Sequence, residues 1–229
     1  MAYCIHRCGE SRSFPHTHPL LEAGQDDAAQ SGVYIGETAG ARWRAARRAV
    51  TDVHQTASLH EVPDFELIEL GSECLGEHIG EDDGPAHVMG FARFRLGDAE
   101  PTDLVELVKK PYTDPRALAR ARQVLEDAGL SVAVCNDFPG RILDRLIRPY
   151  YNAALRRLDE GLATAQDMDT TVRLGLGYPE GPIALLTRTG LHHHYAVTQA
   201  LYTSLGQEAF VPARRAQVAW ARHQHHEAP

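Results

Sequence analysis

The sequence predicts an α/β unit with a mostly parallel sheet, followed by an all-helical unit. Three observations lead to this prediction. Short apolar runs alternate with helical patterns from residue 31 to residue 136, no strand pattern follows residue 137, and the length of 229 residues fits one large domain or two small ones. Strands alternating with helices indicate a parallel sheet because parallel neighbours need a crossover connection.

Five apolar runs in the first half predict strands: SGVYIG (31–36), FELIEL (65–70), HVMGFARF (87–94), DLVELV (103–108) and LSVAVC (130–135). Two segments have helical spacing, residues 37–50 and 113–129. The second has Thr113 or Asp114 at its N-cap, Pro115 in its first turn and Gly129 at its end. This half is therefore predicted to be a sheet covered by helices.

The second half opens with a long helical pattern over residues 137–161, whose apolar positions run from Ile142 to Leu158. Asn136 or Asp137 is the expected cap, and Pro149 is expected to bend the helix. Three more helices are predicted: residues 164–177, with Thr164 and Asp167 as a variant capping box, residues 181–190 and residues 191–206. The predicted domains are a loosely ordered arm (1–30), an α/β domain (31–136), a helical domain (137–220) and a tail (221–229).

Composition argues against several classes of protein. The formal charge of −8 disfavours nucleic acid as a partner. No apolar run approaches ~18 residues, so no membrane span is expected. The four scattered cysteines, Cys4, Cys8, Cys74 and Cys135, do not form a disulfide framework, which favours a reducing, cytoplasmic location.

A family resemblance is carried by DFPGRILDRLIRPYYNAALRRLDEGLATAQDMDTTVRLGLGYPEGPIALL, residues 137–186. It resembles the C-terminal domain of the 3-hydroxyacyl-CoA dehydrogenases, in which D-x-P-G-F-I-x-N-R opens a Pro-kinked helix and G-x-G-Y-P-x-G-P follows. The counterparts here are Asp137, Pro139, Gly140 and Arg145. A weaker likeness to the end of the family's cofactor domain extends the match to roughly residues 87–210.

The resemblance implies a truncated Rossmann-like sheet with a helical bundle of the 6-phosphogluconate-dehydrogenase C-terminal type. It also implies NAD as cofactor, an acyl-CoA substrate, and a homodimer formed through the helical domain. In the family, a His takes the proton of the 3-hydroxyl group, a Glu orients that His, and an Asn of the kinked helix contacts the substrate.

The chain departs from this pattern at two of the three positions. The family's G-L-H-F-F-N-P aligns with GFARFRL, so Ala92 stands at the catalytic His position. The orienting Glu matches Glu106, and the helix Asn is replaced by Asp144. His87 precedes the strand by too many residues to take the place of the His. The sequence has no G-x-G-x-x-G, and the series Gly32, Gly36 and Gly40 is at most a remnant of one.

Several residues keep two interpretations. Asp144 either pairs with Arg148 or Arg141 on its own helix or lies in the cleft, and Glu106 either faces solvent or lies near the cleft. CIHRC with His16 and His18 has the residue types of a zinc site but irregular spacing, so no metal is predicted. HHH at 192–194 occupies three successive helix directions and is expected to be a solvated face.

The expected function is therefore membership of the 3-hydroxyacyl-CoA dehydrogenase family, with impaired or absent NAD-linked oxidation of 3-hydroxyacyl-CoA by the isolated chain. The alternatives are a non-catalytic acyl-CoA-binding or dimerisation module, and a partial subunit that needs a partner carrying the NAD domain. Whether the chain is an enzyme is left open.

Overall fold

The computed structural model describes residues 2–22, 29–53 and 62–227. The chain divides into two compact units. The α/β unit comprises Met1–Phe94 and Pro101–Arg141, and the helical unit comprises Arg95–Glu100 and Ile142–Pro229. The division falls after Arg141, a few residues beyond the boundary predicted after residue 136.

The α/β unit contains six strands among its described residues: β1 (Cys4–Arg7), β2 (Gly32–Ile35), β3 (Glu66–Glu69), β4 (Val88–Arg93), β5 (Leu104–Lys109) and β6 (Ser131–Asn136). Its helices are α1 (Pro19–Glu22), α2 (Ala39–Val53), α3 (Gly76–Ile79) and α4 (Pro115–Asp127). All five strands predicted from apolar runs are confirmed, and so are both predicted helices.

The six strands form one sheet in the order β1-β2-β3-β4-β5-β6. Every neighbouring pair is parallel except β4 and β5, which are antiparallel. The predicted mostly parallel, Rossmann-like sheet is therefore confirmed. The strands follow one another across the sheet in the same order as along the chain. The described sheet therefore has no reversal of strand order, which is the point at which a doubly wound fold places its ligand.

Both faces of the sheet are buried, because successive side chains of a strand point to opposite sides. Val33 and Leu67 belong to one apolar cluster, whereas Tyr34 and Ile68 belong to a second. Helix α4 packs into the first cluster through Ala117, Ala121, Val124 and Leu125. Helices α2 and α3 pack into the second cluster through Ala39 and Trp43 of α2 and Ile79 of α3.

The helical unit contains α5 (Leu143–Asp159), α6 (Ala165–Leu176), α7 (Pro182–Thr189), α8 (Leu191–Leu205), a 3-10 turn (Glu208–Phe210) and α9 (Arg214–Glu227). Helix α5 contains Pro149, as predicted, and packs against α7, α8 and α9. Thr164 caps α6, its hydroxyl accepting from the Asp167 N–H. No helix within the described ranges has the length and apolar character needed to cross a bilayer.

Three predictions need correction. Residues 4–7 of the arm predicted to be loosely ordered form β1, which pairs with β2. The predicted tail is continuous with α9 as far as Glu227. Asp137 does not cap α5, which begins at Leu143. Residues 1, 23–28 and 228–229 of the predicted arm and tail, and residues 54–61 of the predicted α/β domain, lie outside the described residues.

Candidate functional site

Ala92 and Glu106 lie directly opposite each other on β4 and β5. Residues opposite each other in an antiparallel pair project from the same face of the sheet, with Cβ atoms about 5 Å apart. Both side chains are buried. The structure thus brings together the two positions at which the resemblance implies a His and the Glu that orients it. The methyl group of Ala92 offers no atom that can accept a proton.

Glu106 is instead paired with an arginine. Its Oε2 accepts a hydrogen bond from Nε of Arg141 at 3.1 Å, and the two side chains are only 4% and 6% exposed. Nη1 of Arg141 donates to the Gly71 carbonyl at 2.8 Å. The interpretation of Glu106 as a solvent-facing residue is therefore wrong, because it is one half of a buried ion pair.

The Pro-Gly turn at the end of the α/β unit positions Arg141. Gly140 and Arg141 have φ values of +72° and +50°, so both are in the left-handed region. The Gly140 N–H donates to the Ser72 carbonyl and the Arg141 N–H to that of Phe138. A left-handed backbone costs a non-glycine residue about 1–2 kcal/mol. The Glu106 contact and these hydrogen bonds hold Arg141 in that conformation.

Asp137, at the start of the same turn, stabilises another part of the unit. Its carboxylate accepts from the N–H groups of Leu75 and Gly76 at 2.7 and 2.8 Å, and lies 3.3 Å from Nζ of Lys110. The carboxylate that was expected to cap α5 therefore satisfies backbone donors at the start of α3.

Neither His87 nor Cys135 replaces the missing His as a proton acceptor. His87 precedes β4 and contacts Glu66, with 3.4 Å between Nε2 and Oε2. Burial raises the pKa of the Cys135 thiol to about 11, and the negative charge of Glu106 adds to the effect. Cys135 is therefore a protonated thiol at neutral pH, and His87 is engaged with Glu66.

Asp144 lies in the helical unit and pairs along its own helix. Its Oδ1 accepts from Nε of Arg148 at 2.7 Å, and Arg148 is almost fully buried. This confirms the contact predicted four residues along the helix. The alternative contact with Arg141 is not formed, since that side chain pairs with Glu106.

Arg148 connects Asp144 to a buried polar network that no sequence pattern indicated. Nη1 of Arg148 lies 3.2 Å from Nδ1 of His194, and Nε2 of His194 lies 3.0 Å from Oδ1 of Asn152. The amide of Asn152 donates to the Ala209 carbonyl, and its oxygen accepts from the Ala213 N–H. His194 is 1% exposed, so the expectation that HHH is a solvated face is wrong for this residue.

The two neighbours determine the protonation of His194. Nδ1 faces a guanidinium donor and must accept, whereas Nε2 faces a carbonyl oxygen and must donate. Burial lowers the pKa of His194 to about 3, and the positive charge of Arg148 adds to the effect. The ring is therefore neutral at physiological pH, and a second proton would bring two cations into contact.

The pyrophosphate of NAD needs free backbone N–H donors. The turn after β2, which lies within the glycine series, is the region where the resemblance would place them. In the turn after β2, the Gly36 N–H donates at 2.7 Å to Glu69, which also accepts from the Ser13 N–H. A Cβ at Gly36 would lie 2.6 Å from the Cys8 backbone, and one at Gly40 would overlap the His78 ring. These glycines serve internal packing.

A cavity of about 320 Å³ lies beside this turn, at the carboxyl ends of β2 and β3. Four carboxylates line it, against two arginines and one histidine: Glu10, Glu37, Glu69 and Glu73, with Arg12, Arg44 and His78. An excess of negative charge repels a pyrophosphate. Together with the missing glycine motif and the unreversed strand order, this means that the described residues do not fit NAD.

A Rossmann-like sheet followed by an all-helical unit is the architecture of two-domain dehydrogenases. The fold is similar to that of (S)-3-hydroxybutyryl-CoA dehydrogenase from Ralstonia eutropha, with a TM-score of 0.65 at 20% identity, over 86% of this chain and 66% of that one. Residues 140–227 match the family model of the 3-hydroxyacyl-CoA dehydrogenase C-terminal domain. This match assigns residues 140–227 to a domain similar to the C-terminal domain of 3-hydroxyacyl-CoA dehydrogenases.

Two curated relatives agree with this assignment. The mitochondrial hydroxyacyl-coenzyme A dehydrogenase of Sus scrofa is 41% identical over 88 residues, which are 38% of this chain and 28% of that protein. A probable 3-hydroxybutyryl-CoA dehydrogenase of Deinococcus radiodurans is 30% identical over 110 residues, 48% of this chain and 40% of that protein. The matched region thus spans less than half the length of these relatives.

The buried ion pair leads to a first prediction. Replacing Glu106 by Leu should lower the free energy of unfolding of the α/β unit by about 3–5 kcal/mol, because Arg141 is left buried without a counter-ion. Urea denaturation can be followed by Trp43 fluorescence in a Trp220→Phe background, since the chain has two tryptophans.

The matched control is Asp103→Asn, which breaks the pair of Arg93 with an exposed carboxylate and should cost less than about 1 kcal/mol. The Arg141→Met substitution should cost about as much as Glu106→Leu, and the double variant much less than the sum of the two losses. Strictly additive losses would show that the two side chains are not coupled.

His194 leads to a second prediction. Its pKa is depressed in the folded chain, so the unfolded chain binds more protons between pH ~6.5 and pH ~3. The free energy of unfolding of the helical unit should fall as pH decreases through this window, by up to about 1.4 kcal/mol per pH unit from this group. Trp220 fluorescence in a Trp43→Phe background reports the transition.

The variant His194→Gln should lose this contribution, whereas His226→Gln, at an exposed position of α9, should keep it. Equal pH slopes for the parent chain and His194→Gln would contradict the assignment of a neutral buried ring.

Proposed function

We propose that the chain is a member of the 3-hydroxyacyl-CoA dehydrogenase family that does not, on its own, catalyse NAD-linked oxidation of 3-hydroxyacyl-CoA. The observation that carries this proposal is the contact of Glu106 with Arg141, on the face where Ala92 replaces the catalytic His. The chain is then a non-catalytic module, or a partial subunit that works beside a partner carrying the NAD domain.

The first defect is the missing base. Oxidation of a 3-hydroxyl group requires a positioned acceptor for the hydroxyl proton, and a positioned general base typically contributes ~10²–10⁴-fold to the rate. A guanidinium cannot act as this base because it does not lose its proton in proteins. To reach a substrate, Glu106 would have to leave Arg141. The buried positive charge of Arg141 would then lose this counter-ion.

The second defect concerns NAD, which is the family's hydride acceptor by resemblance. In this chain the Gly36 N–H already donates to Glu69, and carboxylates predominate around the adjoining cavity. A dinucleotide would have to displace an internal hydrogen bond and enter a negative field. The cofactor defect is independent of the missing base, so repair of one does not restore turnover.

What the chain retains is the helical domain, and we propose that this domain mediates self-association. No residue of α6 is buried, although the helix carries Leu174 and Leu176, which are 81% and 66% exposed. Leu146 of α5 and Leu162 are also about 70% exposed. Large apolar side chains in such number are typical of a protein–protein interface. An acyl-CoA is the small molecule that the family resemblance favours.

The four cysteines favour a reducing compartment, and we propose a cytoplasmic location on this ground. All four are free thiols. Burial raises the pKa of Cys74 and of Cys135 to about 11, so both resist oxidation at neutral pH.

A third prediction concerns turnover. The full chain should not reduce acetoacetyl-CoA with NADH above background, as followed by NADH absorbance. The variant combining Ala92→His and Asp144→Asn should also be inactive, because the cofactor defect remains. Calorimetric titration with acetoacetyl-CoA alone separates retained acyl-CoA binding from catalysis. Reduction well above background by the unmodified chain would refute the proposal.

A fourth prediction concerns assembly. Light scattering after gel filtration should give about twice the chain mass of 25.2 kDa at tens of micromolar protein. Replacing Leu174 and Leu176 by Asp should give the monomer, since charged residues at the centre of an apolar interface oppose association.

The control variant adds the same two charges at Ala119 and Gln123, on the exposed side of α4 in the α/β unit, and should leave the dimer intact. A monomeric parent chain, or equal dissociation by both variants, would argue against the proposed interface.

A further inference from the structure

A group of three metal-ligating side chains lies in the helical unit, apart from the residues discussed above. Among the residues that the structure describes, Asp98, His192 and His193 each offer one oxygen or nitrogen atom, and these atoms all lie within 4.8 Å of one another. Nε2 of His193 is 2.8 Å from Oδ1 of Asp98. Such a cluster is either an exposed ion pair with a neighbouring ring or a cation site.

Backbone hydrogen bonds and close packing hold the main chain of Asp98 in place. Its N–H donates to the Thr189 carbonyl at 3.1 Å, at the last residue of α7. Gly97 has φ +54° and packs so closely that a Cβ there would collide with the same carbonyl. Nε of Arg95 closes the loop by donating to the Ala99 carbonyl at 2.8 Å. The Asp98 main chain is therefore fixed relative to the end of α7.

The two imidazoles are placed by the first turn of α8. Gly190, at φ +89°, precedes the helix, and a Cβ there would lie 2.9 Å from both the His192 and the His193 ring. The two rings fold back over this glycine with centroids 4.0 Å apart. On its other side His192 stacks against His223 of α9, at 4.1 Å and an interplanar angle of 29°. The rings are thus supported from two directions.

This arrangement differs from the expectation for the HHH run. The three successive histidines do not all face one point, because His194 enters the buried network with Arg148 and Asn152. The other two rings nevertheless converge, since Gly190 leaves space that a side chain would fill. The third group, Asp98, comes from a distant part of the chain.

We propose that Asp98, His192 and His193 bind a divalent cation of borderline softness, such as Zn²⁺. Two imidazole nitrogens and one carboxylate oxygen suit zinc, with its remaining position open to water, whereas Mg²⁺ and Ca²⁺ prefer all-oxygen ligands. The positive end of α8 disfavours a cation, so the negative charge of Asp98 is essential. The bound ion ties residues 95–100 to the first turn of α8. This revises the expectation of no metal.

A zinc titration tests the proposal. The untagged full chain, freed of metal with EDTA and then exchanged into chelator-free buffer, is titrated with Zn²⁺ in a calorimeter. We expect one saturable site per chain. The substitutions Asp98→Asn and His193→Gln should each weaken binding at least ~10-fold, the loss seen even for residues that only orient a ligand. Both residues are at least partly exposed, so both variants should fold.

Two controls locate the site. His225→Gln with His226→Gln removes two exposed histidines of α9, and Cys4→Ser with Cys8→Ser removes the sulfur ligands of the arm; neither should change the affinity. The Co²⁺ complex should show no sulfur-to-metal charge-transfer band. An absence of saturable binding, or binding that survives Asp98→Asn and His193→Gln, would overturn the proposal and leave the cluster an ion pair only.

Discussion

The carboxylate of Glu106, on β5, is buried, and a buried charge is tolerated only when a partner neutralises it. In a dehydrogenase of this family the resemblance implies that this carboxylate orients a His. Here its partner is Arg141, which reaches it from a left-handed turn at Gly140 and Arg141. The same turn ends the α/β unit. The carboxylate that the resemblance expects to orient a His therefore stabilises the fold through Arg141.

A similar replacement occurs in the helical unit. The family's neutral Asn is Asp144 here, and its charge is neutralised by Arg148 on the next helical turn. Burial, with the added positive charge of Arg148, lowers the pKa of His194 and keeps it neutral, and Asn152 satisfies the other ring nitrogen. At two of the three positions where the resemblance implies site groups, the chain has an acid paired with an arginine. Each pair is satisfied within its own unit.

Local patterns predicted most of the secondary structure. Apolar runs predicted the positions of five strands. The N-caps Asp114 and Thr164 are at positions that the sequence predicted. The site was less predictable because its contacts join distant residues. Glu106 and Arg141 are 35 residues apart, and Asp98 and His193 are 95 apart. No spacing rule links such pairs, and strand register was needed to place Ala92 opposite Glu106.

We propose, above all, that the α/β unit has lost its cofactor function while the helical domain has been kept. Calorimetric titration of the full chain with NADH tests this most directly, because it measures binding without requiring turnover. We predict no saturable heat of binding, since the Gly36 N–H is already bonded to Glu69 and the carboxylates that line the adjoining cavity outnumber its arginines by four to two. Saturable binding of one NADH per chain would contradict this proposal.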